Sequence, residues 1–129
     1  MSFYRDEIAR LKKTIYPHDD LTKQIIDAKL YIDKHFSENI NLDIIANKAL
    51  VSKFHFIRLF KKYYGRTPNQ YLQEVRIGKA KKLLLKGDTI EGVCAAIGFV
   101  SKTSFISLFK RMTGLTPIAY QNKKSNFEE

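Results

Sequence analysis

Residues 52–71, SKFHFIRLFKKYYGRTPNQY, return 49 residues later as residues 101–120, SKTSFISLFKRMTGLTPIAY. Eleven of the twenty aligned positions are identical without a gap, among them Phe56/Phe105, Leu59/Leu108, Phe60/Phe109, Gly65/Gly114 and Pro68/Pro117. Upstream, Ala46/Ala95 and Val51/Val100 keep the same offset. A repeat this close in a chain of 129 residues means that one supersecondary unit is built twice.

Each copy reads as helix, turn, helix, stop. In the first, Asn41 caps a short helix over 42–48 and Ser52 caps a second one. Phe56, Leu59, Phe60 and Tyr63 follow at i, i+3, i+4, i+7, one apolar stripe facing a core. Gly65 stops that helix, and Thr67-Pro68 opens the next with an N-cap and a first-turn proline. In the second copy Asp88 or Thr89 caps a helix over 90–97, and Gly98 turns the chain. Ser101 caps a helix striped by Phe105, Leu108, Phe109 and Met112. Between the copies, residues 68–86 form one helix of about 28 Å, striped by Tyr71, Leu72, Val75, Ala80, Leu83 and Leu84. Upstream, residues 21–36 make an amphipathic helix with Ile25, Ile26, Ala28, Leu30 and Ile32.

The expectation is an all-α fold of about seven helices, two helix-turn-helix subdomains joined by a long linker helix. Its parts are an N-terminal extension or linker (1–19), the first subdomain (20–67), the linker helix (68–87), the second subdomain (88–122) and a C-terminal tail (123–129). Tyr4, Ile8, Leu11 and Ile15 have helical spacing, which fits either a helix packed on the domain or a connector to another segment.

Charge narrows the partner. Residues 44–127 hold 16 basic residues against three acidic ones, a surplus of thirteen, while residues 1–43 are nearly balanced. Such a field attracts polyanions, nucleic acid first. No apolar run approaches the roughly 20 residues of a membrane span. The N-terminus lacks a signal peptide's apolar centre, so a cytoplasmic chain is expected with no membrane partner. Cys94 stands alone among apolar neighbours and reads as a buried, inert thiol.

A helix-turn-helix reads DNA by laying its second helix in the major groove, and the crossing needs a small residue in the first helix. Ala46 and Ala95 supply one. With the stripes turned inward, the outer faces present Lys53, Phe54, Ile57 and Arg58 in one copy and Lys102, Thr103, Ile106 and Ser107 in the other. Arg58 carries a planar fork of donors that matches guanine O6 and N7, and Lys53 and Lys102 serve guanine or phosphate. Phe54, Ile57 and Ile106 suit thymine methyl groups; the alternative for both isoleucines is membership of a widened core stripe. Thr103 and Ser107 offer hydroxyls, which discriminate weakly. Lys61, Lys62, Lys110 and Arg111 lie further along and meet phosphate or simply solvent. Ser52 and Ser101 either aim helix N-termini at phosphate or only cap; His55 is a phosphate contact or a surface residue.

These residues carry a family resemblance. Gly98-Phe99, Ser101, Phe105, Leu108-Phe109-Lys110, Gly114, Thr116-Pro117 and Tyr120, with Ala46, Ser52, Arg58-Leu59-Phe60-Lys61, Gly65, Pro68, Tyr71, Arg76 and Ala80 in the first copy, make residues 20–122 resemble the DNA-binding domain of the AraC/XylS family. The resemblance implies two recognition helices in adjacent major grooves of double-stranded DNA, a spacing of one turn or about 34 Å. It also implies transcription activation through RNA polymerase, by this domain alone or attached to a sensing or dimerising region. Monomeric binding by the domain is compatible with it. Two departures stand out. The first copy has Ala49-Leu50-Val51 where a turn glycine is common, and Ser107 stands where arginine is frequent, so the first module is expected to supply more of the base reading.

Enzymatic function is not expected. His18, His35 and His55 have no metal spacing with one another or with Cys94, and no phosphate loop, nucleophile elbow or paired carboxylates occur. No cofactor is expected. The rival reading is a basic protein that coats nucleic acid without reading it.

Overall fold

The computed structural model describes residues 19–48 and 52–128, with side chains over 21–47 and 52–123. Among the described residues there are seven helices and no strand: α1 (Asp19–His35), α2 (Leu42–Lys48), α3 (Lys53–Tyr64), α4 (Pro68–Leu85), α5 (Ile90–Ile97), α6 (Lys102–Thr113) and α7 (Pro117–Glu128). The all-α expectation is met. The expectations for residues 1–17, for His18 and for the turn at 49–51 fall outside the described residues. The described chain divides into two compact units, residues 19–34 with 40–70, and residues 35–39 with 71–128.

In the first unit Ile25, Ala28 and Ile32 of α1, Ile45 and Ala46 of α2, and Phe56 and Phe60 of α3 are buried. The Phe56 and Phe60 rings lie 5.8 Å apart, and Tyr64 stacks at a tilt 4.8 Å from Phe60. The buried Thr22 hydroxyl meets the Tyr63 hydroxyl at 3.3 Å, tying α1 over α3. Leu30, expected on the apolar stripe of α1, is instead 49% exposed. It follows Ala28 by two residues, about 200° round the helix, and so faces away from the core.

In the second unit one cluster joins Ile77, Ala80, Leu83 and Leu84 of α4 to Val93, Cys94 and Ile97 of α5 and to Phe105, Leu108 and Phe109 of α6. Burying each large apolar side chain contributes about 1.5–3 kcal/mol. Phe105 meets Phe109 at 5.7 Å and Phe99 at 5.8 Å, both edge to face, and Tyr120 closes on Phe109 at 5.4 Å. Ile77, left off the expected stripe of α4, belongs to it at i, i+3, i+7 with Ala80 and Leu84. Met112, expected inside, is 40% exposed; its counterpart Tyr63 is held by Thr22 of α1.

Two long-range side-chain contacts complete this unit. Arg76 of α4 donates from Nε to the Phe36 carbonyl (2.7 Å) and from Nη2 to that of Glu38 (2.9 Å), with its guanidinium 5.6 Å over the Phe99 ring. Burial lowers the guanidinium's pKa from its ordinary value. Gln121 of α7 donates to the carbonyls of Leu84 (2.7 Å) and Asp88 (3.2 Å), where α4 ends. α7 itself continues to Glu128, through the residues expected as a tail, since no breaker follows Pro117.

Candidate nucleic-acid interface

Each candidate reading helix starts on a serine cap. Ser52 Oγ accepts from His55 N and Ser101 Oγ from Ser104 N, both at 3.2 Å. The first helices are capped too: Asn41 Oδ1 accepts from Ile44 N (2.9 Å), and Thr89 Oγ1 from Gly92 N (3.0 Å). Thr89, not Asp88, is therefore the cap in the second module. α5 and α6 meet at 87°, close to the 90–120° or so of helix-turn-helix units.

The caps correct the register of the repeat. The second helices align at an offset of 49, but Asn41 and Thr89, or Ile45 and Val93, align at 48. The stretch from first cap to second cap, 41–52 in one module and 89–101 in the other, is one residue longer in the second. Ala46, which is buried, is thus matched by buried Cys94, whereas Ala95 is exposed and does not serve the crossing expected of it. Burial also pushes the Cys94 thiol pKa up, which suppresses the reactive thiolate.

Gly98 ends α5 in the left-handed region, φ 86°, and a Cβ there would stand 2.6 Å from the Ser37 carbonyl oxygen. Two constraints thus require glycine at this turn.

Of the candidate base-reading residues, Lys53, Phe54, Arg58, Lys102, Thr103 and Ser107 are exposed, Phe54 at 76%. Ile57 and Ile106 are half-buried, and Ile106 packs against the second unit's core. Of the candidate phosphate contacts, Ser52, Lys61, Lys62, Ser101, Lys110 and Arg111 are exposed and His55 is half-buried. Lys61, Lys62, Lys110 and Arg111 occupy the last turns of α3 and α6, where cations also favour the helix dipole. Each module brings one further residue to its face. Lys53 Nζ pairs with Asp43 Oδ1 at 3.6 Å, and Lys102 Nζ donates to Glu91 Oε2 at 3.0 Å. That contact holds the Glu91 carboxyl below its usual pKa range. Neither acid was singled out from the sequence; the signal available was a carboxylate at the second position of both first helices. Beside the second pair an open groove of about 380 Å³ runs between Ile90, Ile106, Pro117 and Ile118.

Among the described residues no three His, Cys, Asp or Glu side chains converge as a metal site needs, and no single helix is long and apolar enough to cross a membrane.

Comparison with known proteins agrees with this geometry. A family model described as a helix-turn-helix domain matches residues 45–123. The regulatory protein PocR of Salmonella typhimurium is 34% identical over 84 residues, 64% of this chain and 27% of that protein. The chain spans between about a fifth and a third of the length of such curated relatives. The C-terminal domain of AraT, a response regulator from Geobacillus stearothermophilus, superposes with a TM-score of 0.76 at 28% identity, covering 80% of this chain and 87% of that one. The DNA-binding domain of AdpA, a global transcriptional factor solved in complex with a target DNA, gives 0.73 at 27% identity, covering 77% and 90%. The chain belongs to the helix-turn-helix family of AraC-type transcription regulators, whose DNA-binding domain it carries.

Proposed function

We propose that this chain binds double-stranded DNA sequence-specifically and regulates transcription in the bacterial cytoplasm, at the nucleoid, as an activator that touches RNA polymerase. α3 and α6 enter adjacent major grooves, and the domain binds as a monomer. Lys53, Phe54, Ile57 and Arg58 of the first module, with Lys102, Thr103, Ile106 and Ser107 of the second, meet base edges. Ser52, His55, Lys61 and Lys62, with Ser101, Lys110 and Arg111, meet phosphate. The first module carries more of the reading, because the guanidinium of Arg58 has only a hydroxyl, that of Ser107, as its counterpart.

The observation that supports this reading is the duplicated helix-turn-helix, each copy with an exposed, basic face on its second helix. Selection of duplexes from a randomised pool tests it. The expected product is a site with two patches one helical turn apart that stays bound under excess random DNA. Recovery of no preferred sequence would reduce the chain to a nonspecific binder.

A further inference from the structure

Asp43 and Glu91 occupy equivalent places. Each is the second residue of its module's first helix, and each faces the first lysine of the second helix. The lysine follows the acid by ten residues in the first module and by eleven in the second, and the acid differs, yet the pair is built both times. All four side chains are well exposed, from 42% at Lys53 to 72% at Asp43. Exposed ion pairs contribute little to stability, so the fold gives weak reason for rebuilding this one.

We infer that Asp43 and Glu91 are positioning residues that restrain Lys53 and Lys102 from taking phosphate indiscriminately and so raise the selectivity of the interface. The inference rests on the DNA-binding reading above. A lysine ammonium is a point charge on a flexible stem and accepts any phosphate in reach, and such contacts supply the sequence-independent part of DNA affinity. A phosphate that approaches Lys102 must displace the Glu91 carboxylate or stand beside it, and both are anions. Guanine O6 and N7 are neutral acceptors. The ammonium has three donors, so it can keep one on the carboxylate and turn another to the base. The acid therefore burdens random contacts more than base contacts.

The test uses the full chain and measures binding by fluorescence anisotropy across a salt series, on a random-sequence duplex and on the duplex recovered by selection. Glu91→Gln is expected to tighten binding to random DNA about threefold to tenfold and to steepen the log–log salt slope by about one. The selected-to-random ratio falls. Asp43→Asn behaves alike through Lys53. In a Lys102→Ala background, Glu91→Gln is expected to leave the slope unchanged, since the restrained lysine is gone. A wild type that discriminates, combined with an unchanged slope for Glu91→Gln, overturns this inference alone. So does an equal effect with and without Lys102, which reduces the acid to generic repulsion. A wild type that binds neither duplex, or both equally, overturns the sequence-specific reading and the inference together.

Discussion

Arg58 and Lys110 are both exposed cations on second helices, yet geometry assigns them different work. Arg58 lies halfway along α3, on the same outer face as Lys53, Phe54 and Ile57; Lys110 lies in the last turn of α6. Arg58→Ala is expected to cost about 1–3 kcal/mol on the selected duplex and to relax one base position. Lys110→Ala is expected to weaken every sequence about equally and to flatten the salt slope by about one. Quantitative footprinting on selected and random duplexes separates the two; equal weakening of both by Arg58→Ala would move it to the phosphate group. Gly98 offers a residue-scale test of stability. Gly114 shares its φ of 86°, but a Cβ there meets nothing within 4 Å, whereas at Gly98 it runs into the Ser37 backbone. Gly114→Ala should cost the ~1–2 kcal/mol of a left-handed L-residue. Gly98→Ala should cost clearly more by denaturant unfolding, and equal costs would remove Ser37 from the account.

At the scale of elements, the repeat made most of the fold legible. Strong periodicity and cap residues located α2 and α5 at their observed bounds, and α3 and α6 directly after their caps. The misses have separate causes. Leu30 and Ile77 answer to helical phase, one about 200° round from Ala28 and the other in step with Ala80 and Leu84, whereas at Met112 a stripe does not say which neighbouring helix covers its edge. Ala95 is not the counterpart of Ala46 because the offset of 49 does not hold upstream of the second helices, where the cap-to-cap stretch differs by one residue between the copies. Arg76, Gln121 and the acids Asp43 and Glu91 act through side chains reaching other elements, and local patterning is blind to such proximity. Of the base-reading candidates, exposure separates Lys53, Phe54 and Arg58 from the half-buried Ile57, a division that residue type left open. Gln121→Ala tests one of these long reaches. It removes the amide donor from the Asp88 carbonyl and one of two donors from that of Leu84, which keeps the Gly87 N–H, and a loss of about 1–2 kcal/mol in chemical denaturation is expected. No loss would mean that water replaces the amide fully.

For the whole molecule, electrostatics set the affinity scale. With the basic surplus concentrated after residue 43, neutralising about 6–10 phosphates gives a log affinity that falls with log salt at a slope of roughly −5 to −9. A flat response in the same anisotropy titration would detach the charge from binding altogether. The organisation of the chain matters as well. Residues 35–39 lie between stretches of the first unit yet belong to the second, where the Phe36 and Glu38 carbonyls hold Arg76 and the Ser37 backbone abuts Gly98. The polypeptide thus passes from one unit to the other three times along its sequence. A single protease cut after Gln70 cannot release the C-terminal half intact. The liberated piece would carry a guanidinium stripped of two acceptors, and shuffling such modules between regulators requires moving five residues from far upstream along with them.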